Sequence, residues 1–334
     1  MENNGARKVK YWQAINEALT GEMERDLSVC LFGEDIGRGG GSFGATRGLL
    51  DRFGASRVRD TPISELAIVA AGTGAAMTGL RPVVEIMYMD FLLLALDQVV
   101  NQAAKMRFMS GGAYAVPLTI RTVVASRTQS GPQHSQSFEA WLGNVPGLRV
   151  VAPSTPADAA GLLRTSIRSD DPVVFIESLA AWRSSGEIPD DHTVPFGSAA
   201  VRRAGDDVTF VAVGSAVQIA VDAAEMLQAD GISAEVIDLR SLSPFDAATV
   251  VESVGRTGSL VAVQDTPIPF GVGETVIARV AMEDPSLFKA PPRVVGPPFS
   301  PTPFAPELEA RYYPTKERIA AETKEMLQLE APDV

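Results

Sequence analysis

One of the two histidines in this chain of 334 residues, His134, lies in the polar segment SGPQHSQSFEAW, residues 130–141. Two amide side chains, three hydroxyls and one carboxylate share the segment with it. Because an imidazole gains and loses a proton near neutral pH, the segment is a candidate for proton transfer. A histidine that only supports the local fold is the alternative at this point.

A second set of polar residues begins with DTPISE, residues 60–65. Pro62 ends any preceding helix and Ser64 is a preferred N-cap residue, so the pattern predicts that Glu65 lies in the first turn of the next helix. A carboxylate at that position commonly complements the helix dipole, and it can also act as a general acid or base. The motif alone leaves both interpretations open.

Two glycine motifs point to other classes of enzyme. Residues 39–44, GGGSFG, fit the GxGxxG dinucleotide fingerprint, with Asp60 about 20 residues further on. Residues 40–44 also fit the GxSxG nucleophile elbow of hydrolases. Glu34 and Asp35 come just before the glycines and would repel a pyrophosphate, and the preceding strand ends too far from the serine for an elbow. A flexible loop is therefore favoured over an NAD site or a hydrolase nucleophile.

The composition narrows the class of protein further. The formal net charge of -12 argues against binding to nucleic acid or to an anionic membrane and suits a basic protein partner. The single cysteine, Cys30, lies in an apolar run and allows neither an internal disulfide nor a CxxC metal site. We expect it to be buried, in a reducing compartment. With no apolar signal core and no run of about 18 apolar residues, the sequence predicts a cytoplasmic protein with no visible signal or transit peptide, although a cleaved organelle peptide would leave no trace.

Short apolar strands alternate with helical patterns along the chain, which predicts an α/β fold with parallel sheets covered on both faces. The polar segment SSGEIPDDHTVP, residues 184–195, separates two such alternating blocks. We therefore predict two α/β domains, residues 1–190 and 191–334. The second contains a proline-rich stretch and ends in a helix over 315–329.

Two predicted helices must position many of the polar residues. One covers residues 64–79, SELAIVAAGTGAAMTG, and the other covers residues 91–109. Each glycine in a helix costs about 1 kcal/mol against alanine, so the two glycines in its interior, Gly72 and Gly74, suggest that another backbone approaches this helix closely. Packing inside the chain and a subunit interface both fit this pattern.

Several motifs together resemble one known family. They are GEDIG at 33–37, RVRDTPISE at 57–65, GAAMTGLRPV at 74–83, DQ at 97–98, QHSQS at 133–137, PGL at 146–148, PSTP at 153–156 and IDLRSLSP at 237–244. With this combination the chain resembles, nearly end to end, the β subunit of thiamine-diphosphate-dependent 2-oxoacid dehydrogenase E1 components of the pyruvate, acetoin and branched-chain types. The resemblance implies a transketolase-like pyrimidine-binding domain followed by a transketolase C-terminal domain, in an α2β2 heterotetramer.

The resemblance also implies roles for particular residues. Glu65 matches the catalytic carboxyl group that is hydrogen-bonded to N1′ of the cofactor's pyrimidine, and Phe91 matches the aromatic residue packed against the aminopyrimidine ring. Glu34 matches an acid near the cofactor. His134 matches the catalytic histidine at the mouth of the active site that assists acyl transfer to a lipoyl group of the acyltransferase E2. An implied K⁺ site uses mostly backbone oxygens of Leu118, Ser166, Ile167, Ser169 and Asp171.

The chain departs from other thiamine-diphosphate enzymes where they bind the diphosphate. These enzymes use a GDG motif followed by an asparagine, whereas the nearest match here is Gly205-Asp-Asp and no asparagine follows Asn144. We therefore expect an E1 α subunit to hold Mg²⁺ and the diphosphate, while this chain supplies the pyrimidine half of the thiamine diphosphate site.

Further departures from the family pattern bear on the substrate. Asn144 stands where the pyruvate and acetoin types often have histidine, and residues 264–270, QDTPIPF, are also unusual. Phe138 stands where the branched-chain type often has proline. We favour a pyruvate- or acetoin-type enzyme that decarboxylates a 2-oxo acid, or cleaves acetoin, and passes the acyl group to E2. The alternatives are a split transketolase that moves ketol groups, and a catalytically inactive regulatory or scaffold subunit.

Overall fold

The computed structural model describes residues 7–328. Within them the chain divides into two compact units. The first unit comprises the chain up to Ala125 together with Trp141–Phe196, and the second comprises Ser126–Ala140 together with the chain from Gly197. The units differ from the predicted domains, 1–190 and 191–334, mainly in the segment 126–140, and that domain division stays a prediction.

The first unit contains eight strands and seven α-helices among the described residues. The strands are β1 (Arg7–Lys10), β2 (Val29–Gly33), β3 (Val58–Asp60), β4 (Arg81–Tyr88), β5 (Thr119–Val124), β6 (Arg149–Val151), β7 (Val173–Ser178) and β8 (Ser185–Ile188). The helices are α1 (Tyr11–Arg25), α2 (Leu49–Phe53), α3 (Glu65–Met77), α4 (Met89–Leu92), α5 (Ala104–Met109), α6 (Glu139–Gly143), where the chain returns from the second unit, and α7 (Pro156–Arg168).

Strands β2 to β7 form the sheet of the first unit in the order β6-β7-β5-β4-β2-β3, and all neighbouring strands in it are parallel. Strands β2, β5 and β7 are buried along their whole length, as expected for a parallel sheet covered on both faces. Cys30 is buried in β2, as predicted, and burial raises the pKa of its thiol to about 11. Strands β1 and β8 form a separate antiparallel pair.

Helices α1 and α7 cover this sheet because each carries a continuous apolar face. In α1 the buried residues recur at helical spacing, among them Ala14, Ile15 and Ala18. Helix α7 begins with a proline in its first turn, and the Thr155 hydroxyl caps it by accepting the N–H of Asp158. Because the strands of this sheet are parallel, their carboxyl ends all lie at the same edge of the sheet.

Of the two helices predicted near the candidate site, one is present as predicted and the other is not. Helix α3 occupies most of 64–79 and has Glu65 in its first turn, as predicted, although the Ser64 hydroxyl makes no capping hydrogen bond. The prediction of one continuous helix over 91–109 was wrong. That region contains α4, a 3₁₀ turn at Leu93–Ala95, a π-helical stretch at Gln98–Ala103 and α5. Such π-helical insertions often accompany functional sites.

The two glycines of α3 have different surroundings. A Cβ built on Gly72 would lie 2.7 Å from Cγ1 of Val84 and 3.0 Å from Cδ1 of Leu118. Nothing lies within 4 Å of a Cβ built on Gly74. The close approach at Gly72 is therefore made by side chains of the same unit and not by another backbone.

We expect Gly72→Ala to lower the free energy of unfolding by about 1–3 kcal/mol, because the added methyl group overpacks a β-branched neighbour. Gly74→Ala is the matched control in the same helix. It should raise the free energy of unfolding by up to about 1 kcal/mol through helix propensity. Urea unfolding followed by circular dichroism measures both values, and effects of the same sign would contradict this packing.

The second unit has its own sheet and helices. Its strands are β9 (Ala200–Arg203), β10 (Val208–Ala212), β11 (Ala234–Asp238), β12 (Ser241–Ser243), β13 (Leu260–Val263) and β14 (Arg293–Val295). Its helices are α8 (Ala216–Gln228), α9 (Ala247–Thr257), α10 (Val272–Glu283), α11 (Pro306–Tyr312) and α12 (Lys316–Gln328). The sheet order is β14-β13-β10-β11-β9, parallel except for β9. None of the helices in residues 7–328 combines the length and apolar character needed to cross a bilayer.

Candidate active site

Glu65 begins helix α3, directly after the loop that leaves β3. The N–H of Thr61 donates to the carbonyl of Gly33 at 3.0 Å, which ties this loop to the end of β2. The Glu65 residue is only 6% exposed. Its carboxylate forms no hydrogen bond or ion pair within residues 7–328. A buried carboxylate without a partner in its own chain can accept or donate a hydrogen bond to a ligand.

Glu34 follows β2 and lies in an acidic cluster with Glu65. Burial raises the pKa of Glu34, and the carboxylates of Glu65, Asp35 and Glu85 raise it further. The structure therefore brings two of the predicted site residues, Glu34 and Glu65, close together. A carboxyl group with a raised pKa keeps its proton nearer to neutral pH, so Glu34 can exchange a proton with a ligand.

A buried ionic triad anchors the fourth member of this cluster, Glu85. On β5, Arg121 donates from Nε and Nη2 to the two carboxylate oxygens of Glu177 at 2.7 and 3.0 Å, and from Nη1 to Glu85 at 2.6 Å. Arg121 and Glu177 are 2% and 1% exposed. Burial raises the pKa of Glu177 to about 7, although the guanidinium of Arg121 acts in the opposite direction. The sheet thus holds one cation between two carboxylates beside the candidate site.

This triad was not predicted from the sequence, although a signal for it was present. Each member is a single charge inside an otherwise apolar run: PVVEIMY in β4, TIRTVV in β5 and VVFIES in β7. A charge in a fully buried strand must be paired. Opposite charges on neighbouring central strands therefore predict an ion pair.

Phe91 is half-buried on α4 and is one member of a series of aromatic rings. Its ring centroid lies 6.1 Å from that of Tyr88, which lies 5.4 Å from that of Phe43, and both contacts are edge-to-face. The series continues from Phe43 to Trp182 at 5.8 Å. Phe91, the ring predicted to contact the cofactor, is therefore connected through ring contacts to Phe43 of the glycine-rich loop 39–44.

His134 lies in the segment Ser126–Ala140 of the second unit. Its backbone N–H donates to the carbonyl of Gly131 at 3.4 Å. The hydroxyl of Ser135 is buried and has no hydrogen-bond partner in the described part of the chain. Ser137 donates to Glu139 at 2.8 Å, and burial raises the pKa of that carboxyl. Polar side chains therefore follow the histidine along the chain, as the sequence indicated.

Contacts of two residues, Arg127 and Gln129, hold this segment to the rest of the second unit. Arg127 donates to Asp265 at 2.7 Å and its guanidinium lies 4.9 Å from the centre of the Tyr313 ring. The backbone N–H of Gln129 donates to both carboxylate oxygens of Glu309 at 2.9 and 3.1 Å. The backbone that carries His134 is thus fixed by residues more than a hundred positions further along the chain.

The predicted site residues fall in two groups. Glu34, Glu65 and Phe91 belong to the first unit, together with the residues predicted for K⁺. His134 belongs to the second unit. Their predicted roles stay predictions.

The residues predicted for K⁺ lie at the end of α7, in the loop before β7 and just before β5. Nη1 of Arg81 donates to the carbonyl oxygens of Ile167 and Ser169 at 3.1 and 3.0 Å. The carboxylate of Asp171 forms ion pairs with Arg107 and Arg149. Positive charge therefore already faces several of the proposed oxygen ligands, and K⁺ binding stays a prediction.

The closest match to a diphosphate motif has a structural role in the second unit. The carboxylate of Asp207 accepts the N–H of Ser233 at 2.7 Å, and a Cβ built on Gly205 would lie 2.2 Å from the carbonyl carbon of Ala234. The glycine is needed because the backbone passes so close to β11. Residues 7–328 contain no group of three His, Cys, Asp or Glu side chains arranged to hold a metal ion.

Two family models match the chain. The model for the transketolase pyrimidine binding domain matches residues 7–183, and the model for the transketolase C-terminal domain matches residues 197–319. A solved split gene transketolase, an inactive β4 tetramer, superposes with a TM-score of 0.79 over 97% of this chain and 99% of its own, at 21% identity. That identity shows the fold alone. The sheets and both models define a transketolase-like α/β protein, and the predicted fold class is confirmed.

Relatives of similar length define the family. The β subunit of acetoin:2,6-dichlorophenolindophenol oxidoreductase from Bacillus subtilis (strain 168) is 41% identical over 96% of this chain and 98% of its own. The β subunit of 2-oxoisovalerate dehydrogenase from the same organism is 40% identical over 96% and 99%. The β subunit of the pyruvate dehydrogenase E1 component from Staphylococcus epidermidis (strain ATCC 12228 / FDA PCI 1200) is 42% identical over 95% and 98%. The chain belongs to the family of β subunits of 2-oxoacid and acetoin dehydrogenase E1 components, which confirms the predicted family.

Proposed function

We propose that this chain is the β subunit of an α2β2 E1 enzyme and supplies the pyrimidine-binding half of a thiamine diphosphate site. The transketolase-like family implies this cofactor. The observation that carries the proposal is the Glu65 carboxylate, which is buried at the start of α3 and free of hydrogen bonds and ion pairs within residues 7–328. Such a group fits a ring nitrogen that must gain and lose a proton.

Thiamine diphosphate, when bound, supplies the carbon nucleophile for a 2-oxo acid or acetoin. In this chain Glu65 would hold and exchange a proton at the pyrimidine, and Phe91 would pack against the ring. Glu34 lies close enough to Glu65 for their charges to interact, and the carboxylate of Glu65 contributes to the raised pKa of Glu34. Mg²⁺ and the diphosphate are assigned to the α subunit.

We propose a pyruvate- or acetoin-type substrate, with the lipoyl group of E2 as the acyl acceptor. Phe138, close to His134, supports this choice over the branched-chain type. Relatives named for acetoin, pyruvate and 2-oxoisovalerate enzymes are 40–42% identical to the chain, so overall identity does not separate these substrates.

Reconstitution tests the proposal. The chain is combined with an α subunit of this family, thiamine diphosphate and Mg²⁺, and turnover of pyruvate, acetoin and a branched-chain 2-oxo acid is measured with an artificial electron acceptor. We expect turnover only with both subunits and the cofactor. Ketol transfer between sugar phosphates without E2 would instead indicate a split transketolase. Cofactor binding without any turnover would indicate a regulatory or scaffold subunit.

The same system tests His134. We expect His134→Ala to lower acylation of an E2 lipoyl domain about 10²-fold or more, while turnover with the artificial acceptor changes only a few-fold. The reason is that the predicted role concerns transfer to the lipoyl group and not decarboxylation. His192→Ala, which removes the other histidine, is the control and should leave both rates unchanged. Equal losses of the two activities in His134→Ala would contradict the assigned role.

A further inference from the structure

A cavity of about 580 Å³ opens in the first unit beside the glycine-rich loop 39–44. One wall is formed by this loop and Arg47, and the other by residues 179–183, which follow β7. Both walls come after the carboxyl ends of parallel strands, where α/β sheets bind ligands. The volume is in the range of small-molecule sites, about 300–1,000 Å³.

The lining of this cavity is positively charged although the protein is acidic. Arg47 and Arg183 both line it, and no Asp or Glu of the described residues does. The guanidinium of Arg47 lies 5.9 Å from the centre of the Trp12 ring. Neither arginine forms an ion pair with another residue of 7–328. Both arginines are exposed, so their guanidinium groups are available to an anionic ligand.

The loop adds uncharged donors to the two arginines. The backbone N–H groups of Ser42 and Phe43 donate to no acceptor in the described part of the chain, and both residues line the cavity. The loop is fixed from behind: the N–H of Gly41 donates to the carbonyl of Asp35 at 2.9 Å, and the indole N–H of Trp182 donates to the carbonyl of Phe43 at 2.9 Å. Successive N–H groups in such a turn form an anion-binding concavity.

Glycine is required for this loop conformation. Gly40, Gly41 and Gly44 have φ values of 77°, 78° and 83°, in the left-handed region that favours glycine. A Cβ on Gly41 would also lie 2.9 Å from a carboxylate oxygen of Glu85, which Arg121 holds in place. The donors are therefore positioned before any ligand arrives, which reduces the entropy lost on binding.

We propose that this cavity binds the phosphate group of a small phosphate monoester. Two guanidinium groups and two backbone N–H groups offer more donors than a carboxylate can accept. A phosphate monoester has three terminal oxygens and carries about −1.5 to −2 charges at pH 7, which matches two arginines. Glu34 and Asp35, which argue against a pyrophosphate at this loop, do not line the cavity. The glycine-rich loop would therefore bind a single phosphate group, without the fingerprint's helix.

Calorimetric titration of the full chain with inorganic phosphate, glycerol 2-phosphate and acetate tests this site. We expect both phosphates to bind more tightly than acetate, and binding to weaken as salt increases. Each guanidinium removed should weaken phosphate binding about tenfold, so Arg47→Gln/Arg183→Gln should weaken it about a hundredfold. Both side chains are exposed and form no ion pair, so the unfolding midpoint without phosphate should change only slightly, through the lost contact between Arg47 and Trp12.

Arg38→Gln is the matched control, because Arg38 is exposed near the same loop but does not line the cavity. It should bind phosphate like the unaltered chain. The proposal would be overturned by equal binding in the double variant, by an equal loss in Arg38→Gln, by acetate binding as tightly as the phosphates, or by no binding of either phosphate.

Discussion

Replacing Glu65 with glutamine should lower the turnover of the reconstituted enzyme by about 10²- to 10⁴-fold. Glutamine has the same shape and keeps the hydrogen-bonding capacity, but its amide cannot exchange a proton with a ring nitrogen. The carboxylate has no other partner in residues 7–328, so the substitution breaks no contact within the chain. A stopped-flow assay with saturating cofactor and substrate measures the loss in the chemical step.

The control for Glu65→Gln is the same change at Glu187, an exposed carboxylate on β8 of the same unit. Glu187→Gln should leave turnover unchanged. The unfolding midpoint of Glu65→Gln should match that of the unaltered chain, which separates a catalytic loss from a folding defect. Near-normal turnover in Glu65→Gln, with the cofactor bound, would remove Glu65 from the mechanism.

Arg121→Met should lower the free energy of unfolding by about 3–5 kcal/mol, because it leaves the carboxylates of Glu85 and Glu177 without their cation. Methionine fills part of the volume of the arginine side chain. The loss of unfolding free energy therefore reflects the missing positive charge more than an empty cavity. Replacing all three residues together, with Glu85→Gln and Glu177→Gln added, should recover much of the loss. Urea unfolding of the single and triple variants measures this, and equal losses in both would show that packing matters more than charge.

The effect of Arg121→Met should depend on pH. Glu177 has a pKa raised by burial to about 7, so the stability linked to its protonated form is present below its ordinary pKa and lost as the pH rises through about 7. Removing Arg121 removes the interaction that favours the ionised form. The loss of unfolding free energy should therefore be larger at about pH 8 than at about pH 5. A loss that does not vary over this range would mean that Glu177 stays ionised throughout.

Much of the first unit could be predicted because its signals are local. Apolar runs bounded by glycine and proline predict strands such as β2 and β7, and the proline before Glu65 predicts the start of α3. The burial of Cys30 followed from its apolar neighbours. Glu65 itself became a candidate only through the family motif, because a carboxylate in a first helical turn is usually a dipole-complementing residue.

Other features depend on contacts between distant parts of the chain and could not be predicted in this way. Hydrophobic periodicity could not distinguish a continuous helix from the π-helical stretch at Gln98–Ala103. Gly161 in α7 is a second example, since a Cβ there would lie 2.8 Å from Nε2 of His192. Nothing near either residue indicated that the histidine packs against this helix.

The segment that carries His134 limits how the protein can be divided. Because Arg127 and Gln129 are held by Asp265 and Glu309, a fragment that ends at Phe196 would retain His134 but lose these anchors. Limited proteolysis or separate expression of the halves should thus yield an N-terminal piece whose histidine loop is loose, even with its sheet intact. A chimaera that combines halves of homologous enzymes would fold correctly only if residues 126–140 come from the same parent as the C-terminal half.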